Sequence, residues 1–153
     1  MGEELLKAFD GLPPQEVKQT AKEIVPRLHT FFAVNTLEYL HRGGRINTAT
    51  RYLGTALAIK PILYFDEQGK IDALEGVRTK HKAIQRLIAL AEEHANGRPV
   101  HVEIVHANVP QAAREFRDQV AQLLNCKEIF IVECSLVIGV HVGSRTIGIA
   151  LYA

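Results

Sequence analysis

Apolar positions fall into two rhythms along this chain, and the changes of rhythm mark its elements. Over residues 79–96, Ile84, Leu87, Ile88 and Ala91 follow the i, i+3, i+4, i+7 spacing of an amphipathic helix, with Gly97 as its stop. A second helix is predicted from Pro110, carrying Ala113, Phe116, Val120 and Leu124 on one face. Extended segments are predicted over 31–34, 100–107 and 128–133, and again over 136–142 and 146–152 around a glycine-rich bend. Residues 61–65 and 70–77 form a hairpin about the turn Asp66-Glu67-Gln68-Gly69. The strand–helix–strand unit over 100–133 is expected to be parallel and right-handed. Short helices are expected over 3–9, over 15–25, over 37–40 with Thr36 as cap, and from Asn47 to about Leu57. The sum is an α/β (α+β-like) fold, a two-layer sandwich in which helices pack on a mixed sheet of about six strands. Residues 1–29 stand outside it as lead-in helices and linker.

Composition narrows this little. A chain of 153 residues with 47% hydrophobic and 23% charged residues is one ordinary globular domain, not a disordered or low-complexity segment. The longest uncharged stretch, 134–144, is interrupted by Gly139, His141 and Gly143 and is too short for a membrane span. Cys126 and Cys134 are eight apart, outside any Cys-x-x-Cys pair, and are expected to be reduced in a cytoplasmic protein. Charge distribution is more informative. Segments 41–60, 76–91 and 134–153 together hold nine basic residues and no acid, in a chain of net charge +1. That favours a local anion site over a surface that coats nucleic acid.

Few of the usual signatures of chemistry occur. Seven histidines are present, but His101 and His106 lie five apart in one strand and so face opposite ways, and no zinc-like Cys–His spacing appears. Neither phosphate-cradling glycine loop nor the Gly-x-Ser-x-Gly elbow is found. No metal, cofactor or catalytic activity is expected. Three features stand out instead. Arg78, Lys80, His81 and Lys82 crowd a helix start, where the macrodipole favours anions. Arg42-Gly43-Gly44-Arg45 puts two guanidinium groups on a glycine bend. His141 lies within Gly139-Val140-His141-Val142-Gly143, where flanking glycines let another group approach its ring.

The run Asn35-Thr36-Leu37-Glu38-Tyr39-Leu40-His41-Arg42-Gly43-Gly44-Arg45-Ile46 resembles the signature of the DegV family of bacterial fatty-acid-binding proteins. The same order of blocks continues through Gly54-Thr55, Ile59-Lys60-Pro61-Ile62-Leu63, Gly69-Lys70-Ile71, Val77-Arg78-Thr79-Lys80 and Gly139-Val140-His141-Val142-Gly143. The resemblance covers residues 30–153 and corresponds to the C-terminal, lipid-binding domain of the family's two. It implies a non-enzymatic module that holds a long-chain fatty acid and helps present its carboxylate to a partner, a fatty-acid kinase. By the same resemblance Arg45, Arg78 and His141 bind the ligand; Arg42, Lys80 and Arg145, marked out by their charge and position in the sequence, are expected to face the anion or the partner. The family's N-terminal domain, with the hydroxyl residues that grip the carboxylate, has no counterpart here. An exposed apolar patch is therefore expected, covered by that domain or by a second copy in a homodimer. Two departures concern the same region. The family usually has Asp where this chain has Asn35, and Gly-Pro-Gly where it has Gly143-Ser144-Arg145. The alternatives are an interaction domain without ligand and, further off, an acyl- or phosphoryl-transfer enzyme.

Overall fold

The computed structural model describes residues 13–52 and 59–153, so the helix expected over 3–9 and the Gly54-Thr55 block lie outside the described residues. Strands β1 (His29–Ala33), β2 (Lys60–Phe65), β3 (Ile71–Val77), β4 (Val100–His106), β5 (Cys126–Glu133) and β6 (Ile147–Tyr152) form one sheet. Their order is β3-β2-β1-β6-β4-β5. Only β4 and β5 run parallel, as the crossover through the intervening helix requires; the other neighbours are antiparallel. The sheet is thus mixed and the α/β class is as the sequence implies.

The helices are α1 (Pro14–Ile24), α2 (Glu38–Arg42), α3 (Lys80–Ala95), α4 (Pro110–Leu123) and α5 (Leu136–Val142). Helices α3 and α4 cover one face of the sheet, where Leu87 and Phe116 meet Ile62, Ile104 and Ile149 in the main core. Alternation along β4 makes this face: Val100, Val102, Ile104 and His106 are buried while His101, Glu103 and Val105 are half-exposed. His101 and His106 accordingly look opposite ways. On the other face a smaller cluster of Phe32, Val34, Leu40, Leu63, Ala73 and Val142 lies under α2, α5 and the 3₁₀ segment Asn47–Tyr52.

Capping explains where the long helices start and stop. Thr79 Oγ1 accepts from the Lys82 amide at 3.1 Å, and Asn96 ends α3 in the left-handed region at φ 48°, one residue before Gly97. Pro110 opens α4 at a position that needs no amide donor. The hairpin ladder closes at Phe65 and Ile71, so Lys70 joins the loop. The Asp66 carboxylate holds that loop, accepting from the amides of Gln68 and Lys70.

Three expectations are corrected. Residues 136–142 form a helix and not a strand. The stretch bridges the end of β4 between β5 and β6, with β6 already paired on both sides by β1 and β4. Its amides are satisfied locally instead: Ser135 Oγ accepts from Ile138, and the Gly139 amide donates to Ser135 O at 2.8 Å. Asn47 does not cap an α-helix either; it sits at φ 39° at the head of a 3₁₀ segment that ends, among the described residues, at Tyr52. Thr36 contributes one residue earlier than expected, accepting from the Glu38 amide at 3.2 Å while Leu37 occupies the cap position.

Candidate functional site

All the singled-out basic residues lie near one end of the sheet, where β1, β3, β4 and β5 finish and β2 and β6 begin. They are divided between its two faces. On the face of the smaller cluster, α2 ends in a left-handed turn. The Arg45 amide donates to Leu40 O at 2.9 Å and the Gly44 amide to His41 O at 3.1 Å, with Gly44 at φ 67°. This turn folds the Arg45 side chain back, so that Nη1 donates to Gly43 O at 2.6 Å. Helix α5 meets it there. A Cβ built on Gly43 would stand 2.7 Å from His141 Nδ1, so the imidazole rests on bare backbone. A second contact joins the start of α2 to the same C-terminal end of α5, because a Cβ on Gly143 would stand 2.5 Å from the Tyr39 ring. Arg45 and His141 are thereby brought together through Gly43. The glycine that admits the His141 ring comes from α2 and not from the flanking positions 139 and 143.

Beside this pair, α5 turns a row of apolar side chains to solvent. Leu136 is 89% exposed, and Val137, Ile138 and Val140 are more than half exposed, with only Val142 of the helix buried. Exposed Tyr39 of α2 adjoins the row through its contact with Gly143. This is the apolar patch expected from the sequence.

The remaining cations stand apart from Arg45 and His141. Arg78 is exposed in the turn from the edge strand β3 into α3, and no side-chain bond among the described residues joins it to either. Arg42 pairs with Glu38 at 2.5 Å along the surface of α2, a contact of the kind that contributes about 0.3–0.5 kcal/mol. Lys80 and Arg145 line a cavity of about 460 Å³ on the α3 face, together with Lys60, which no local feature of the sequence marks out. Tyr39 was likewise missed. Both needed the sheet order to be seen, since what gives them a role is a neighbour remote in sequence.

Little else offers catalytic chemistry. Burial pushes both thiols up, and Glu133 adds to the shift at Cys134, so neither is activated as a nucleophile. Among the described residues no group of three or more His, Cys, Asp or Glu is placed to hold a metal ion. Among the same residues no helix is long and apolar enough to cross a membrane. What the arrangement on the α5 face offers is an apolar surface with a cationic, hydrogen-bonding end, suited to an amphiphile with an anionic head.

Comparison with known proteins shows the family and the fold. The family model described as "Uncharacterised protein, DegV family" matches residues 5–153. A DegV domain-containing protein of Halalkalibacterium halodurans is 38% identical over 144 residues, which is 94% of this chain and 50% of that protein. The fatty-acid-binding DegV family protein of Thermus thermophilus superposes with a TM-score of 0.83 at 30% identity, over 98% of this chain and 53% of that one. DegV of Bacillus subtilis, described as a fatty acid binding protein, superposes at 0.76 with 32% identity, over 97% and 52%. The chain spans about half the length of the curated relatives it matches.

Proposed function

The chain belongs to the DegV family, and from that membership we propose that it is a fatty-acid-binding module whose ligand lies along α5. The observation that carries the reading is the exposed apolar surface of α5, formed by Leu136, Val137, Ile138 and Val140, on the same helix whose His141 rests on Gly43 beside Arg45. An acyl tail removes apolar surface from water at about 0.8 kcal/mol per buried methylene, and a row of exposed side chains supplies one wall for it. Arg45 and the His141 ring then meet the carboxylate, each such bond to a charged group contributing about 1.5–3 kcal/mol when sheltered.

The module acts as a carrier and not as an enzyme: it holds the chain and presents the carboxylate. The binding domain begins with β1 at His29, one residue earlier than the boundary expected from the sequence, and α1 leads into it. The wall opposite α5 is a second domain equivalent to the other half of the longer relatives, or a second copy of this chain. Arg42 and Arg78, both exposed, face the partner that acts on the carboxylate, so Arg78 passes from the ligand, where the sequence reading put it, to the partner; the family resemblance implies a fatty-acid kinase for that role. Unpaired Cys126 and Cys134 go with a cytoplasmic location.

The test is lipid extraction of the protein purified from bacteria, followed by mass spectrometry and by calorimetric titration of the delipidated chain with palmitate. Co-purified acyl chains are expected, together with binding that weakens about tenfold in Arg45→Ala and in His141→Ala, one decade per 1.4 kcal/mol. Unaltered affinity in both variants would remove the head group from this end of α5.

A further inference from the structure

On the opposite face of the sheet from α5, the cavity of about 460 Å³ has no part in the fatty-acid reading. Three cations from three different elements line it. Lys60 is the first residue of β2, Lys80 is the first of α3, and Arg145 stands in the turn into β6. No acid is among the lining residues. Lys60 Nζ donates to Asn35 O at 2.9 Å and to Asn35 Oδ1 at 3.0 Å, both neutral acceptors that leave its charge uncancelled. Lys80 and Arg145 have no ion-pair partner among the described residues. Like charges gathered around one cavity repel unless an anion joins them.

Arg145 also holds a backbone conformation, φ 67°, that disfavours a side chain. Asn35 offers Lys60 two neutral oxygens where a carboxylate would cancel its charge, and Arg145 brings a third cation to the same cavity. The rest of the wall is apolar, with Ala33, Ala83, Val109 and Ile147. In the row of paired residues that runs across the sheet from Ala33 through Ile147, the next is His106, buried with an Nδ1 that has no hydrogen-bond partner among the described residues.

We propose that this cavity binds a small organic phosphate, a phosphomonoester whose dianion sits among Lys60, Lys80 and Arg145 and whose organic part fills the apolar remainder. Three cations match a dianion better than a singly charged carboxylate, and the guanidinium fork of Arg145 suits two oxygens of one phosphate. The site is separate from the α5 face and does not rest on fatty acid binding there.

Calorimetric titration of the whole chain with butyl phosphate, inorganic phosphate and butyrate tests this, with thermal unfolding run alongside. Butyl phosphate is expected to bind at least tenfold more tightly than butyrate and several-fold more tightly than inorganic phosphate, and to raise the melting temperature. Arg145→Gly suits the backbone conformation, so it is expected to melt higher than the parent without ligand and to bind butyl phosphate at least tenfold more weakly. Lys80→Gln is expected to lose affinity similarly with its circular dichroism spectrum unchanged. Saturating palmitate is expected to leave butyl phosphate binding unchanged. The proposal is overturned if neither phosphate binds at millimolar concentration or if butyrate binds as well as butyl phosphate. Equal binding of inorganic and butyl phosphate would remove the organic part of the claim. Unchanged affinity in both variants, or displacement by palmitate, would remove the site. Failure of palmitate to bind at all would instead count against the α5 reading and leave this one standing.

Discussion

Two rings rest on glycines where α2 meets α5, and a methyl group would act differently at each. Gly143 has φ 77° and ψ 167°, a region open essentially to glycine alone, with the Tyr39 ring 2.5 Å from where a Cβ would stand. Gly143→Ala is expected to destabilise the fold by about 1–3 kcal/mol from the backbone conformation alone, measured by urea denaturation. Gly43 has ordinary helical angles, φ −78° and ψ −5°, so Gly43→Ala carries no backbone strain. Its methyl group displaces the His141 ring instead. A loss of stability smaller than that of Gly143→Ala is expected, because the contact that holds α5 is disturbed without backbone strain, together with palmitate affinity lowered about as far as in His141→Ala. His29 offers a titration at the far end of the sheet. Burial lowers its pKa below the ordinary 6.5, and the nearby His94 and Arg98 add to the shift. The unfolded chain therefore takes up this proton first on acidification. The stability gained from a neutral His29 is complete above about pH 6.5 and is lost as pH falls from there through the folded-state pKa. The slope of unfolding free energy against pH just below 6.5 is expected to flatten in His29→Phe; an identical slope would assign the proton uptake elsewhere.

Helices α4 and α5 sit at opposite limits of what burial does for a helix. In α4, Ala113, Phe116 and Val120 are buried at helical spacing, and the element is fixed by the sheet beneath it. Phe116→Ala is expected to cost about 3–5 kcal/mol in denaturant titration, the range for a large ring removed from a packed core. In α5 only Val142 is buried, and its β-branched residues have low helix propensity. It is held by the Ser135 cap and by the contacts at Gly43 and Gly143. An element so lightly anchored and so apolar is free to adjust against whatever covers it.

At the scale of the whole molecule, the chain presents a finished core on the α3–α4 face and an unfinished apolar surface on the other. The uncovered α5 row is expected to drive self-association, seen by light scattering as a rising apparent mass with concentration. Val137→Lys with Val140→Lys should suppress it while leaving the circular dichroism spectrum unchanged. A monodisperse monomer at high concentration would count against the row as a contact surface. If the proposed α5 site holds the acyl chain, palmitate binding by this chain alone is expected to be weaker than by a relative of full length, since α5 supplies a single wall.

The amino-acid sequence determined the long elements, because their periodicity and caps are local. Thr79 and Pro110 open α3 and α4, and the parallel crossover follows from chain order and handedness. It also identified the basic residues and His141, as residue types set beside glycines or a helix start. The path of residues 136–142 was not legible there. A β-branched apolar run looks extended locally, and it becomes helical only because β6 takes the place between β1 and β4 and the run must bridge the end of β4. The division of the cations was not legible either. Arg45 and His141 meet over Gly43 on one face, whereas Lys60, Lys80 and Arg145 meet around a cavity on the other. Which face each reaches depends on strand order and on which helices cover each face, and both are set by contacts between residues far apart in the chain.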